Sequence, residues 1–240
     1  MTLKKHTTGF GIALAIAVTL LISGQASAQS TIFNIPSTDV VAKGKKYFEF
    51  DYFSNFKDQP NGGFYGYTPR LVVGVGKGLE VGANLSAFDS AGPTTVYIQP
   101  NFKWQFYAKE ESGISTTVGA TLFTPVKNHD TNDTFGLFYW NMSKKFKGAY
   151  GPRITVGAYG LGEFETQGVD RAGAIVGYEQ PVTKKISFVA DWFSGDNGLG
   201  YATPGISIAL PKNSLFNIGY SIGNFGRNKN GVFAYFGKTF

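Results

Sequence analysis

Apolar and polar residues alternate with a period of two from about residue 47 to the C-terminus. In the run 96–107, one face carries Val96, Ile98, Pro100, Phe102, Trp104 and Phe106, and the other carries Tyr97, Gln99, Asn101, Lys103, Gln105 and Tyr107. The runs 79–88 and 114–123 alternate in the same way, and their apolar faces carry no charge. Successive side chains point to opposite faces of a β-strand, so this pattern predicts strands and argues against amphipathic helices.

Clusters of Gly, Asn, Asp and Lys divide the alternating region into twelve predicted strands. These strands begin near residues 47, 64, 79, 96, 114, 134, 153, 169, 186, 200, 214 and 231. The mean spacing of about 17 residues corresponds to a membrane-crossing strand of ~9–11 residues and a short connection. The strand near 134 is the least regular, because five apolar residues between 135 and 140 blur the alternation. The chain contains no internal repeat or linker, which favours a single domain.

Residues 1–28 have the features of an export signal. Lys4 and Lys5 precede an apolar run over residues 10–22, and the small residues of 26–28 form a cleavage pattern. The apolar run is shorter than the ~20 residues that a membrane-spanning helix needs, so a retained N-terminal anchor is the less favoured alternative. We therefore expect the mature chain to begin at Gln29.

Composition excludes several kinds of function. The sequence has no Cys and two His, of which only His129 follows the signal, so we expect no metal and no cofactor. Removal of the signal leaves 20 basic and 16 acidic residues, an excess too small and too scattered to indicate a nucleic-acid partner. His129 lies among acidic residues in the loop 127–133, where it could act as a general base or bind a cation. No second catalytic pair accompanies it, so the sequence does not predict an enzyme.

Alternation by itself leaves open whether the apolar face points into a soluble barrel or sandwich, or outward into lipid. Two observations favour lipid. The polar faces consist mostly of Gly, Ser, Thr, Asn and Tyr, whereas the water-facing side of a soluble sheet is normally rich in Lys and Glu. The odd-numbered connections hold seven acids and four bases, and the even-numbered ones hold two acids and eight lysines. An even up-and-down barrel places these two sets at opposite ends.

The C-terminus carries a further signal. The last strand alternates through Val232, Ala234 and Phe236 and ends in Phe240, with Lys238 as the departure from an apolar pattern. Together with the signal peptide and the strand pattern, this terminus resembles that of Gram-negative outer-membrane β-barrels. The resemblance implies an all-β fold, a closed antiparallel up-and-down transmembrane barrel of about 12 strands. It also implies contact with outer-membrane lipid and with the barrel-assembly machinery through the strand ending at Phe240.

These arguments divide the chain into three parts: a signal peptide at 1–28, an N-terminal periplasmic segment at 29–46 and the barrel at 47–240. Closure is required because hydrocarbon leaves no partner for an unpaired strand edge. Aromatic residues near the predicted strand ends are then expected at the membrane interfaces. They are Tyr47, Trp104, Phe106, Tyr178, Trp192 and Phe240.

An outward apolar face places nine charged residues in the lumen. The predicted lumenal, pore-lining set is Glu49, Asp51, Arg70, Glu80, Lys103, Arg153, Arg171, Glu179 and Asp191. Folding each hairpin about its loop brings opposite charges together across neighbouring strands. The predicted pairs are Glu49–Arg70, Glu80–Lys103 and Arg153–Glu179.

Strand number bounds the function. Eight strands fill a barrel with side chains and 16–18 leave a wide channel, so twelve predict a narrow lumen. The external loops have ten residues or fewer, too short for a large folded plug. We therefore expect a narrow passive pore for small polar solutes or ions. The alternatives are a non-conducting structural or surface-interaction barrel that uses its external loops and, less favoured, a soluble secreted β-protein.

Overall fold

The computed structural model describes residues 30–90, 92–128, 133–162 and 169–240. The predicted signal peptide, His129 and the loop 163–168 lie outside the described residues. The strands are β1 (Lys46–Ser54), β2 (Tyr65–Gly76), β3 (Leu79–Ser90), β4 (Gly92–Lys109), β5 (Ile114–Lys127), β6 (Phe135–Lys145), β7 (Arg153–Gly162), β8 (Ala172–Pro181), β9 (Ile186–Phe193), β10 (Tyr201–Leu210), β11 (Ser214–Gly223) and β12 (Gly231–Thr239). Among the described residues, no helix is long and apolar enough to cross a membrane.

The strands form one closed antiparallel barrel in chain order. Each strand pairs with its neighbours in sequence, and β1 pairs with β12 to close the sheet. The prediction of a closed up-and-down barrel of twelve strands is therefore confirmed. Ten of the predicted strand starts agree with the structure to within one residue, while β4 begins earlier, at Gly92, and β8 later, at Ala172.

The apolar faces of the strands point outward. Phe102 is 45% exposed and Phe188 is 42% exposed, whereas Gln99 is 6% exposed and Thr117 is fully buried. This inside-out distribution contradicts the soluble alternative, in which the apolar faces would pack against one another. A continuous apolar outer surface around a closed barrel is the architecture of transmembrane β-barrels.

Most of the predicted interfacial aromatics lie on this outer surface, and Tyr47 is the exception. Trp104 is 47% exposed and Phe240 is 58% exposed, but Tyr47 is fully buried inside the barrel. Tyr47 has the same parity as Glu49 on β1, so both side chains must point inward. The ammonium of Lys238 lies 4.9 Å from the centroid of the Phe240 ring, so the one charge on the outer face of β12 contacts an aromatic ring.

The N-terminal segment contacts the inner face of the barrel. Residues 29–46 were expected to be an N-terminal periplasmic segment, and residues 30–41 are hydrogen-bonded to lumenal side chains of the wall. We call residues 30–41 the plug. A hydrogen bond from Ser37 N to Ser30 O (3.1 Å) and one from Ile32 N to Ile35 O (2.9 Å) fold the plug into a compact loop. Ile32 and Ile35 are fully buried.

Glycines of the barrel wall make room for the plug. A Cβ added at Gly177 would lie 2.7 Å from Ile32 Cδ1 and 2.8 Å from Ile35 Cδ1, and one at Gly219 would lie 2.9 Å from Phe33 Cζ. A larger residue at either position would therefore require these side chains of the plug to shift. The space that lumenal glycines leave in this barrel is filled by the protein's own N-terminal segment.

The two ends of the barrel differ. We call the end with the connection between β1 and β2 the loop end, and the end with the turns 77–78 and 110–113, where the plug joins β1, the turn end. Lys43 forms a bridge with Gly74 of β2, and Gly44 N donates to Gly74 O at 2.9 Å. These bonds attach the residues between the plug and β1 to the turn end of the wall.

Candidate functional site

Eight of the nine charged residues predicted for the lumen point into the barrel interior. Glu49 is fully buried, Glu80 is 2% exposed and Lys103 is 3% exposed. Arg171 differs, because it precedes the first residue of β8 and is exposed at the loop end. It lies one residue before the strand, where its carbonyl oxygen accepts a hydrogen bond from Leu161 N at 2.7 Å, and its place among the pore-lining residues stays a prediction.

The three predicted ion pairs are confirmed. Glu49 is the register partner of Arg70, Glu80 of Lys103 and Arg153 of Glu179. Arg70 Nη1 lies 3.2 Å from Glu49 Oε1, and Lys103 Nζ lies 3.1 Å from Glu80 Oε1. Arg153 Nη2 donates a hydrogen bond to Glu179 Oε1 at 2.8 Å. Arg70 also contacts Asp51, at 3.5 Å. Each buried charge in these pairs thus has an opposite charge beside it, as burial requires.

The same charged groups hold the plug. Glu80 accepts hydrogen bonds from Ser30 Oγ (2.9 Å) and from Val41 N (2.7 Å), at the two ends of the plug. Lys103 Nζ donates to Ser30 O at 3.0 Å. Thr31 Oγ1 donates to Glu49 at 3.1 Å. The lumenal charges therefore pair with one another and also position the plug, a second role that the sequence did not reveal.

Asp191 on β9 binds the centre of the plug. Its carboxylate accepts hydrogen bonds from the backbone N–H groups of Phe33 (2.8 Å), Asn34 (2.6 Å) and Ile35 (3.0 Å). The Asn34 side-chain amide donates a fourth bond, at 3.0 Å. Successive backbone N–H groups that converge on one carboxylate form an anion-binding nest, here filled by the barrel's own side chain. Asp191 is 4% exposed, so these bonds are shielded from bulk water.

Uncharged lumenal residues complete the attachment. Asn141 Nδ2 donates to Pro36 O at 2.7 Å, and Asn217 Nδ2 donates to Ile32 O at 3.3 Å. The hydroxyls of Thr38 and Ser143 lie 2.5 Å apart. The plug thus contacts the wall on opposite sides of the barrel and closes its cross-section. The plug contains apolar residues although it precedes the first strand. These apolar residues were the one feature of the sequence that could have indicated that the segment is buried.

We expect Asp191→Asn to loosen the plug. The substitution removes the negative charge that receives three backbone N–H groups and turns an amide N–H₂ toward them, and charge-assisted hydrogen bonds are worth about 1.5–3 kcal/mol each. The chain has no native Cys, so a cysteine placed at the fully buried Ser37 reports the release of the plug. A thiol reagent should label this cysteine at least about tenfold faster in Asp191→Asn.

The matched control is Asp196→Asn. Asp196 is an aspartate at the loop end that pairs with Arg227 and does not touch the plug. Labelling at position 37 should be unchanged in this variant. Equal labelling rates in the two variants would show that Asp191 does not hold the plug in place.

We expect the attachment of the plug through Asp39 to weaken in acid. Its carboxylate lies 2.7 Å from Arg153 Nη1. Burial raises the pKa of Asp39, but the charge and hydrogen bond of Arg153 outweigh this effect, so the pKa lies below its ordinary value of 3.8. A carboxyl whose pKa is lowered by folding stabilises the folded protein above its ordinary pKa, and this contribution is lost as the pH falls through the lowered value. Wild type should therefore melt at a modestly higher temperature than Asp39→Asn near neutral pH.

The difference in melting temperature should shrink as the pH is lowered through 3.8 and below. A pH series of thermal unfolding in detergent, followed by circular dichroism for both proteins, measures it. A difference that persists unchanged at low pH would mean that the Asp39 charge contributes nothing.

A cavity of about 310 Å³ lies on the loop side of the plug. Plug residues Ser30, Thr31 and Asn34 form part of its lining, together with Arg70, Asn84 and other side chains of the wall. Within the described part of the chain, Asp51 Oδ1, Thr117 Oγ1, Asn141 Oδ1 and Asn217 Oδ1 are buried lumenal oxygens without a hydrogen-bond partner. Buried polar atoms are ordinarily hydrogen-bonded, to water where no protein group is near, so the lumen has the chemistry of a hydrated space.

Comparison with known proteins finds similarity in structure but no match in sequence. No protein-family model matches the chain, and no curated protein sequence matches it. Among solved structures, the chain is similar to an outer-membrane channel from Pseudomonas putida F1, with 10% sequence identity and a TM-score of 0.48. The similarity covers 84% of this chain and 97% of that channel.

Proposed function

We propose that this protein is a barrel of the Gram-negative outer membrane that forms a narrow pore for small polar solutes or ions. The plug closes the pore in the conformation described here. In this proposal the signal peptide is cleaved after export, the loop end faces outward and the turn end faces the periplasm. The strand ending at Phe240 is the element that the barrel-assembly machinery would engage.

One observation supports conduction most strongly: charged and polar side chains of the wall hold the plug, beside the apolar contacts that Ile32, Phe33 and Ile35 make with the wall. Glu49, Glu80, Lys103, Asn141 and Asn217 all face the lumen, and their bonds to the plug are hydrogen bonds to hydroxyl, carbonyl and N–H groups. Water can replace each of these partners at little cost, because a hydrogen bond to water is nearly equivalent.

A second candidate function is a non-conducting barrel, and the extent of plug contact favours it. The plug bonds to wall residues from β1 to β11, and Tyr235 of β12 donates to Ile32 O at 2.7 Å. A plug that never leaves would make the barrel a structural or surface-interaction protein. The two functions differ in one respect, which is whether the plug moves.

A reversible cross-link tests the proposal. The Thr38 and Ser143 hydroxyls are 2.5 Å apart, so cysteines at both positions lie within reach of a disulfide after small adjustments. In planar bilayers, reduced Thr38→Cys/Ser143→Cys protein should show openings like those of wild type. Oxidation should abolish them, and reduction should restore them.

The control is a disulfide within the wall. The hydroxyls of Thr68 on β2 and Ser86 on β3 are 2.9 Å apart and neither bonds to the plug. Oxidation of Thr68→Cys/Ser86→Cys should therefore leave the openings in place. Current that is insensitive to the Thr38–Ser143 cross-link would exclude plug movement as the gate, and silence from folded wild-type protein would favour the non-conducting alternative.

A further inference from the structure

The cavity on the loop side of the plug has two unlike walls. The strands from β2 to β5 contribute most of the hydroxyl and amide side chains of its lining, together with the charged Arg70, Glu80 and Lys103 and the ring of Phe88. The strands β9, β12 and β1, with the loop end of β5, contribute aromatic rings. Its volume of about 310 Å³ is at the small end of the ~300–1,000 Å³ typical of ligand pockets.

The polar wall is a network of uncharged groups. Asn84 Nδ2 donates to Gln99 Oε1 at 3.0 Å, Gln99 Nε2 donates to Ser86 Oγ at 2.8 Å, and Asn101 Nδ2 donates to Asn84 Oδ1 at 3.2 Å. These bonds hold the amides in fixed orientations. Each amide and hydroxyl retains further donor or acceptor capacity, because an amide offers two N–H groups and two lone pairs.

The facing wall is apolar and rigid. Phe53 and Phe233 lie 6.0 Å apart between ring centroids, and Phe123 stacks on Phe135 at 4.4 Å. Phe193, which also lines the cavity, is 1% exposed and packs edge-on against Tyr159 at 4.7 Å. Rings held in this way present a fixed apolar surface to whatever enters from the loop end.

The charges near the cavity favour a neutral occupant. Glu80 and Lys103 neutralise each other, while Arg70 is shared between Glu49 and Asp51. The carboxyl groups of Glu49 and Asp51 thus share one guanidinium beneath the polar wall. An anionic ligand would find no unpaired cation among these residues to compensate its charge.

We infer that this cavity binds a neutral, polyhydroxylated ring, the chemistry of a monosaccharide. The hydroxyl groups of such a ring lie at its edge and match the amides of Asn84, Gln99 and Asn101. Its C–H groups form an apolar face that matches the phenylalanine wall. Burial of that face against the rings removes apolar surface from water, and the fixed amides supply selectivity for hydroxyl groups.

The inference gives the proposed pore a class of solute, and to that extent it rests on the proposed function. Binding itself requires only that the cavity be open at the loop end. Ser30, Thr31 and Asn34 of the plug belong to the cavity lining, so a bound ring would touch the plug as well as the wall.

The test uses the cysteine-free chain. A single cysteine at Ser86, in the polar wall, is labelled by a small thiol reagent in the full-length, detergent-folded protein, with D-glucose as the probe. Saturating D-glucose should slow labelling several-fold at Ser86→Cys and leave it unchanged at Ser112→Cys, a residue of the turn between β4 and β5. D-glucuronate, the same ring with a carboxylate, should protect much less.

The aromatic wall is tested by a matched pair of variants. Phe123→Leu, made in the Ser86→Cys protein, removes a ring of the cavity and should weaken protection by D-glucose. Phe138→Leu removes a ring from the lipid-facing surface, where Phe138 is 60% exposed, and should not. Saturation-transfer NMR of D-glucose with wild type and with Phe123→Leu gives the same comparison without a cysteine.

The outcomes separate the two proposals. Absence of both protection and saturation transfer, or equal protection by D-glucuronate, would overturn the binding site. Protection without current in planar bilayers would overturn the pore and leave the binding site intact. Current without protection would leave the pore and remove its solute class.

Discussion

Deletion of residues 30–39 is expected to raise single-channel conductance several-fold over wild type. The deletion removes the groups that close the cross-section of the barrel, including the fully buried Ile32 and Ile35. The remaining wall presents Glu80, Lys103 and Asn217, which water can solvate in place of the plug. Strand pairing is untouched, because no deleted residue belongs to a strand of the barrel. Conductance in planar bilayers at fixed salt measures the effect.

Two controls accompany the deletion. Heat-modifiable gel mobility establishes that the shortened protein still forms a stable barrel. A synthetic peptide with the sequence of residues 30–41 should lower the current again when added from the side of the turn end, whereas a peptide of the same composition in scrambled order should not. A folded deletion variant with wild-type conductance would mean that the plug does not limit passage.

Glu80→Gln is expected to destabilise the barrel strongly. The substitution leaves Lys103, which is 3% exposed, without its counter-charge, and breaking a buried ion pair by removing one partner costs about 3–5 kcal/mol. It also weakens the hydrogen bonds that Ser30 and Val41 of the plug donate to residue 80. A second substitution, Lys103→Met, should recover much of the loss, since it removes the unpaired charge and keeps a side chain of similar length. Urea unfolding of the folded barrel, followed by gel mobility, gives the free energies for the four proteins of the cycle.

The matched control is Glu111→Gln. Glu111 and Lys109 form an ion pair at 3.8 Å in a turn, with 87% of the Glu111 side chain exposed. Exposed pairs of this kind contribute little to stability, so this variant should unfold like wild type. Equal unfolding curves for Glu80→Gln and Glu111→Gln would show that the lumenal pair is as dispensable as the surface pair.

Strand positions and face orientation were predictable because both follow from local rules. A strand places alternate side chains on opposite faces, so Phe102 and Gln99 were assigned to opposite sides without knowledge of any other strand. Hairpin register follows from the position of the turn, and this placed Arg70 opposite Glu49. The irregular alternation near residue 135 also has a local cause. Leu137 and Tyr139 face the lumen, so β6 is apolar on both faces.

The departures occur where a residue's position depends on more than its own strand. Arg171 continues the alternation of β8 and its carbonyl oxygen is bonded to Leu161 N, but it lies at the end of the strand, where its side chain is exposed. Tyr47 lies at a strand end, as an interfacial aromatic residue would. Its parity on β1 nevertheless places its side chain in the lumen, where its hydroxyl donates a hydrogen bond to Glu49 at 2.5 Å. The short external loops argued only against a plug formed by a loop at the loop end. The plug is instead formed by the N-terminal segment, which joins β1 at the turn end.

By itself, then, the sequence determined a twelve-stranded barrel with an apolar outside and paired charges within. Backbone groups in hydrocarbon must pair, and the period of the side chains decides which face meets lipid. The tertiary structure alone decided what fills that interior. The bond between Phe33 N and Asp191 joins residues 158 positions apart, and the cavity is lined by residues of strands from β1 to β12. Such contacts carry no local period, because they arise only when closure of the barrel brings distant strands around one segment.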